Sequence, residues 1–154
     1  MKKVIKIQYN SPVVLTFALA SLGVLLLDRA TGGWSTVRLF SVYRSSPSDI
    51  LTYPRFVLHV LGHSNFKHYI SNFMMILVLG PGLEQRYGSK NLLLAMALTA
   101  LVSGMVQWLF FPDTMLLGAS GIVFMMIVMS SLAGMKTGCI PLTLIFVLVH
   151  YIGG

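Results

Sequence analysis

The chain has 154 residues, 56% of them apolar and only 10% charged, with a mean hydropathy of +0.81. A soluble domain covers its surface with about a quarter of its residues charged, so this composition excludes an ordinary soluble fold and points to one all-α domain, residues 1–154, in a membrane. The net charge of +7 does not indicate a nucleic-acid partner: Lys2, Lys3 and Lys6 precede the first apolar run and the other basic residues sit between runs, as at the flanks of membrane helices.

The first predicted span is Pro12 to Leu27. Asn10-Ser11-Pro12 reads as a helix start, with a capping side chain followed by proline in the first turn. The run is long for a signal-peptide core, and Asp28-Arg29 follows it without a small-x-small cleavage site, so a retained helix is expected. Residues 28–67 are too polar to span. Trp34, Phe40, Tyr43, Tyr53 and Phe56 lie there among Arg38, Arg44 and Arg55, which predicts short helices in the membrane interface.

The second span runs from His68 to Leu83, with Gly80-Pro81-Gly82 punctuating its end. The third covers about Asn91 to Phe111, and Pro112-Asp113 opens a loop. The fourth runs from about Gly118 to Met135, and the fifth starts near Ile140. If every span crosses, the N-terminal lysines, Arg86 with Lys90, and Lys136 share one side, and the loop at Asp113 on the other side has no basic residue. That asymmetry predicts a cytoplasmic N-terminus. The short basic start lacks the Arg/Ser-rich character of a transit peptide, which makes a bacterial inner membrane the expected location. Cys139 has no partner for an internal disulfide, and the ten methionines read as packing filler.

Polar side chains inside apolar spans need a reason. His68 and Asn72 are four apart and share a helix face. Taken alone, Asn72 reads more readily as interhelical glue. His59 and His63 have no carboxylate or cysteine nearby, which favours hydrogen-bonded histidines at the interface over metal ligands. Ser120 lies in Gly118-Ala119-Ser120-Gly121, at the start of the fourth span. It can be a nucleophile, beside free backbone N–H groups at a helix N-terminus, or part of a small-residue packing seam.

Taken in order, these residues resemble the rhomboid family of intramembrane serine proteases. The resemblance rests on Tyr53-Pro54-Arg55 with His59, on His63-x4-His68-x3-Asn72, on Gly82-x-Glu84-x3-Gly88-Ser89, and on Gly118-Ala119-Ser120-Gly121. It implies a rhomboid-like bundle, here with five transmembrane helices and a long interfacial first loop. It implies Ser120 as nucleophile and His68, Asn72 and the Ser120 N–H as oxyanion-stabilising groups. Phe124 stands where the family has an aromatic packed on the catalytic histidine. The implied reaction is hydrolysis of peptide bonds in or near the transmembrane segments of membrane-protein substrates within the lipid bilayer. It uses a Ser-His dyad and neither metal nor other cofactor.

The family's base is a histidine on a sixth helix. His150-x-x-Gly153-Gly154 mimics that motif but sits on the fifth span. Descending from Ser120 to the turn at residues 136–138 takes about 25 Å of helix, and climbing back to His150 regains only about 18 Å. His150 is therefore expected about 6 Å below Ser120, too far for a hydrogen bond of about 3 Å. The expectation is a chain whose sixth helix, with the base, is missing, and which is itself inactive. An inactive rhomboid-like pseudoprotease that binds transmembrane clients is the alternative. A small transporter is disfavoured by the lack of charge within the spans.

Overall fold

The computed structural model describes residues 8–134 together with Ile140, Leu142, Ile145 and Val149. Lys136, Cys139, His150 and most of the expected fifth span lie outside the described residues. Within them the protein is helical: α1 (Pro12–Ala30), α2 (Trp34–Leu39), α3 (Thr52–Leu58), a 3-10 turn (His59–Leu61), α4 (Phe66–Tyr87), α5 (Ser89–Phe110) and α6 (Ser120–Ala133). Two of these, α1 and α5, are long and apolar enough to cross a membrane. The 14 described residues of α6 are apolar but fewer than a crossing needs, and the 22-residue α4 carries Lys67, His68, Asn72, Glu84 and Arg86.

The start of α1 departs from the sequence reading. Pro12 does occupy the first turn, but neither Asn10 nor Ser11 caps the helix with its side chain. The cap comes from Glu84, about 70 residues away on α4. Its Oε1 accepts from the Val13 N–H at 3.0 Å and its Oε2 from the Val14 N–H at 3.2 Å. The Ser11 hydroxyl donates to Oε2 at 2.6 Å, and the Ser89 hydroxyl, at the start of α5, to Oε1 at 2.7 Å. A local cap secures one helix end, whereas this carboxylate secures the first turn of α1 and fixes α5 beside it.

Gly80-Pro81-Gly82 also reads differently in three dimensions. The helix does not end there but runs through Pro81 to Tyr87. Pro81 lacks the N–H that would bond back within the helix. A Cβ on Gly80 would stand 2.6 Å from Val14 Cγ2, so a larger residue would push α1 away. Gly88, at φ +83°, then turns the chain into α5. Farther along the seam the Tyr69 hydroxyl donates to the Ala18 carbonyl at 3.0 Å. The core between α1, α4, α5 and α6 is apolar, with Val14, Phe73, Ile76, Leu92, Ile122 and Met126 essentially inaccessible.

Between α1 and α4 the chain forms short helices, as its composition predicts. Buried Arg55 organises it: Nε donates to the Arg38 carbonyl at 2.8 Å, Nη1 pairs with Asp49 at 3.2 Å, and the guanidinium lies over Tyr43. Asp49, outside the helices, is held below the usual carboxylate range, first by the Leu51 N–H and then by Arg55. A second arginine clamps the segment to the bundle. Arg44 Nη1 donates to the Trp108 and Leu109 carbonyls at the end of α5, and the Trp108 indole donates to Ser45. Cations are favoured at a helix C-terminus, where carbonyls lack intrahelical partners.

Replacing Glu84 by alanine leaves two N–H groups and two hydroxyls without their acceptor. At about 1–3 kcal/mol for each group left unsatisfied, roughly 4–12 kcal/mol for the four, Glu84→Ala is expected to lower Tm in micelles by at least about 8 °C. Glu84→Gln, which keeps one acceptor oxygen, should lose less than half of that. Equal melting of wild type and Glu84→Ala would show that α1 is held by other means.

Candidate active site

The site is built where the N-terminal ends of α4 and α6 meet the interfacial segment. Asn65 caps α4, its Oδ1 accepting from the His68 N–H at 2.8 Å. The helix therefore starts earlier than His68, and the side chain marking that start is an ordinary Asn cap. The cap places His68 and Asn72 on the first turns, facing α6.

Gly118 sets the approach of the two helices. Its φ of +109° lies where side chains are disfavoured, and a Cβ there would stand 2.7 Å from His68 Cε1, 2.8 Å from Nε2 and 3.5 Å from Asn72 Nδ2. The two polar side chains singled out in the second span thus converge on the residue two before Ser120. The loop carrying Gly118 is pinned by backbone pairing. Val42 and Leu116 exchange N–H···O bonds of 2.8 Å, and the Gly118 N–H donates to the His59 carbonyl at 2.9 Å. Neither pairing has a signature in local sequence, because the partners are more than 50 residues apart.

Ser120 is the first residue of α6, and the preceding Ala119, fully buried, offers no side-chain cap. The first-turn N–H groups of α6 are thereby left without a capping acceptor. The Ser120 side chain is half-buried at a cavity of about 220 Å³ that it shares with His59, Ser103 and Phe124. Among the described residues none hydrogen-bonds to its hydroxyl.

The tautomers follow from the acceptors. His63 Nδ1–H donates to the Leu61 carbonyl at 3.2 Å, which leaves Nε2 to accept from Asn72 Nδ2 at 3.2 Å. His59 Nδ1–H donates to the Arg55 carbonyl, with Nε2 facing the Ser103 hydroxyl at 3.3 Å. Ser64 Oγ accepts from Asn65 Nδ2, so its own proton is available to His68 Nδ1 at 3.3 Å. His68 then carries its remaining hydrogen on Nε2, the nitrogen turned to Gly118.

His59 and His63 are fully buried, and burial drives both below the ordinary imidazole range, His63 to about 4. Both are hydrogen-bonded within the protein. No cluster of potential metal ligands occurs among the described residues. His150 lies outside those residues.

These features define a class: a helical membrane protein that sets a serine at an uncapped helix N-terminus beside His and Asn donors. A family model for the rhomboid domain matches residues 51–152, about two thirds of the chain, and the protein belongs to the rhomboid family. No curated protein matches the sequence.

The lowered pKa of His63 has a definite sign. The folded state favours its neutral form, so its contribution to stability is complete above pH 6.5 and is lost as the pH falls toward about 4. Tm measured across this window should fall more steeply for wild type than for His63→Gln. Parallel curves would mean that His63 does not titrate with folding.

Proposed function

We propose that the protein is an intramembrane serine protease of the rhomboid type, cleaving peptide bonds in or near transmembrane segments of membrane-protein substrates. Ser120 is the nucleophile. The developing oxyanion is taken by the Ser120 N–H, by His68 Nε2–H and by the Asn72 amide. The convergence of His68 and Asn72 on Gly118 carries this reading, because it brings two side-chain donors beside an uncapped helix start. Such donors act where charge develops in the transition state, and water exclusion strengthens them. The exposed apolar faces of α1 and α5 support the bilayer as the working environment, with five spans, a cytoplasmic N-terminus and a bacterial inner membrane as the remaining parts of the proposal.

A serine hydroxyl needs a base. His63 is committed on both ring nitrogens, His68 has its Nδ1 at Ser64, and His59 has its Nδ1 at Arg55 with its Nε2 3.3 Å from the oxygen of Ser103, whose own proton goes to the Thr99 carbonyl. We assign the base to a histidine beyond α6. With that base in place, Ser120 attacks the scissile carbonyl, the base takes the proton and returns it to the leaving amine, and water hydrolyses the acyl-enzyme.

Labelling by a fluorophosphonate probe tests the reading. The 154-residue chain alone should be unlabelled, and an extension encoding a further apolar helix with a histidine should restore labelling that Ser120→Ala abolishes. Labelling of the short chain that is lost in both Ser120→Ala and His150→Ala would assign the base to His150. In the active form Asn72→Ala should lower kcat by about 10²–10³-fold. An extended chain that is neither labelled nor cleaves a transmembrane substrate, yet still captures one, would replace the protease by a client-binding pseudoprotease.

A further inference from the structure

Glu84 and His68 lie 16 residues apart on α4, about 24 Å along the helix. At the Glu84 end, far from Ser120, two cavities adjoin. One is polar, about 460 Å³, lined by Gln8, Asn10, Gln85, Glu84 and Ser89. The other is an apolar slot of about 470 Å³ between α1 and α5, lined by Thr16, Phe17, Ala20, Leu93 and Met96. They share Pro12 and Ser89, so the polar pocket is the mouth of the slot. The slot runs on into a further 170 Å³ that shares Phe17, Leu93 and Met96 and reaches Ala97 and the interfacial helix residues Val57 and Leu58. Tyr9 bonds to Thr16 at 3.0 Å, which holds the residues before α1 beside the mouth.

A polar pocket opening into a long apolar channel along the bundle has the shape and polarity of one amphiphile. We infer that this face binds a single phospholipid, with an acyl chain in the α1/α5 slot and a head group bearing a primary ammonium in the mouth. The head-group class follows from the lining. The mouth includes the Glu84 carboxylate and no basic side chain, and its other groups are amides and a hydroxyl. All of Glu84's hydrogen bonds go to protein donors, so it acts on a ligand through its charge. Amide oxygens accept from an ammonium, and amide N–H groups donate to a phosphodiester. A trimethylated ammonium has no N–H to give, and a head group without a cation meets Glu84 uncompensated. Arg86 and Lys90 at the same end attract anionic lipid diffusely, so head-group selectivity separates a built site from bulk attraction.

Native mass spectrometry of the delipidated protein, titrated with phospholipids of matched acyl chains, tests this. Phosphatidylethanolamine should bind at one copy and at least about tenfold more tightly than phosphatidylcholine or phosphatidylglycerol. Free phosphoethanolamine should not compete, which separates a lipid from a soluble phosphate. Ala20 and Ala97 are exposed on the slot, and Ala20→Trp and Ala97→Trp fill it from outside the core. Each should weaken the lipid about tenfold. Gln85→Lys, at the exposed rim, should move the preference to phosphatidylglycerol whether or not the tryptophan variants fold. Equal binding of the three lipids, or a preference unmoved by Gln85→Lys, would reduce the site to annular lipid. Competition by free phosphoethanolamine would reduce it to a head-group pocket.

Discussion

Glu84 closes three helices onto one another. The first N–H groups of a helix have no partner within it and are met by water or by other groups. Here a carboxylate on α4 meets the first turn of α1 and the Ser11 hydroxyl, and it also takes the Ser89 hydroxyl that opens α5. Moving α4 along its axis would therefore break the cap of α1. That constraint fixes the height of α4 against α1, and with it the height at which His68 and Asn72 arrive about 24 Å away.

Close approach then converts height into contact. Gly80 lets Val14 lie against the α4 backbone, Gly104 lets α5 meet the backbone of Phe56 on α3, and Gly118 admits the His68 ring beside α6. Apolar side chains gain little from leaving lipid for one another, so tight backbone approach and hydrogen bonds carry helix association in a membrane. The glycines stand at the crossings on which the site depends. By contrast, a Cβ on Gly82 would meet nothing within 4 Å, so that glycine serves no crossing.

Much of this was legible in the sequence because it is periodic or local. The apolar runs gave α1, α4, α5 and α6 to within a few residues. The His68–Asn72 pair gave a shared helix face, and the polar, aromatic and arginine-rich content of residues 28–67 gave short helices. What escaped was pairing at long range. Ser11 looked like a cap because Ser before Pro usually is one, yet its hydroxyl bonds to a carboxylate 73 residues later. The second span was expected to end at Leu83, yet α4 runs on to Tyr87, and the partners that hold Glu84 in that last turn lie on α1 and α5. The link between Val42 and Leu116, which holds the loop before Ser120, joins two unremarkable aliphatic residues through their backbones alone.

The same reasoning bears on why Ala119 precedes Ser120. A Ser, Asp or Asn at that position would cap α6 and stabilise it by about 1 kcal/mol. It would also occupy the N–H groups that the proposed oxyanion site requires, and Ala119 is fully buried. The protein caps α4 with Asn65 and α1 with Glu84, whereas α2, α3, α5 and α6 have no side-chain cap. An uncapped helix start is a local defect that the surrounding structure must tolerate, and the pinned loop from Leu116 to Gly118 supplies the rigidity that a cap would otherwise give. Consistency among local rules is the default for a folded chain, and a departure held in place by neighbouring hydrogen bonds is the pattern expected of a working site.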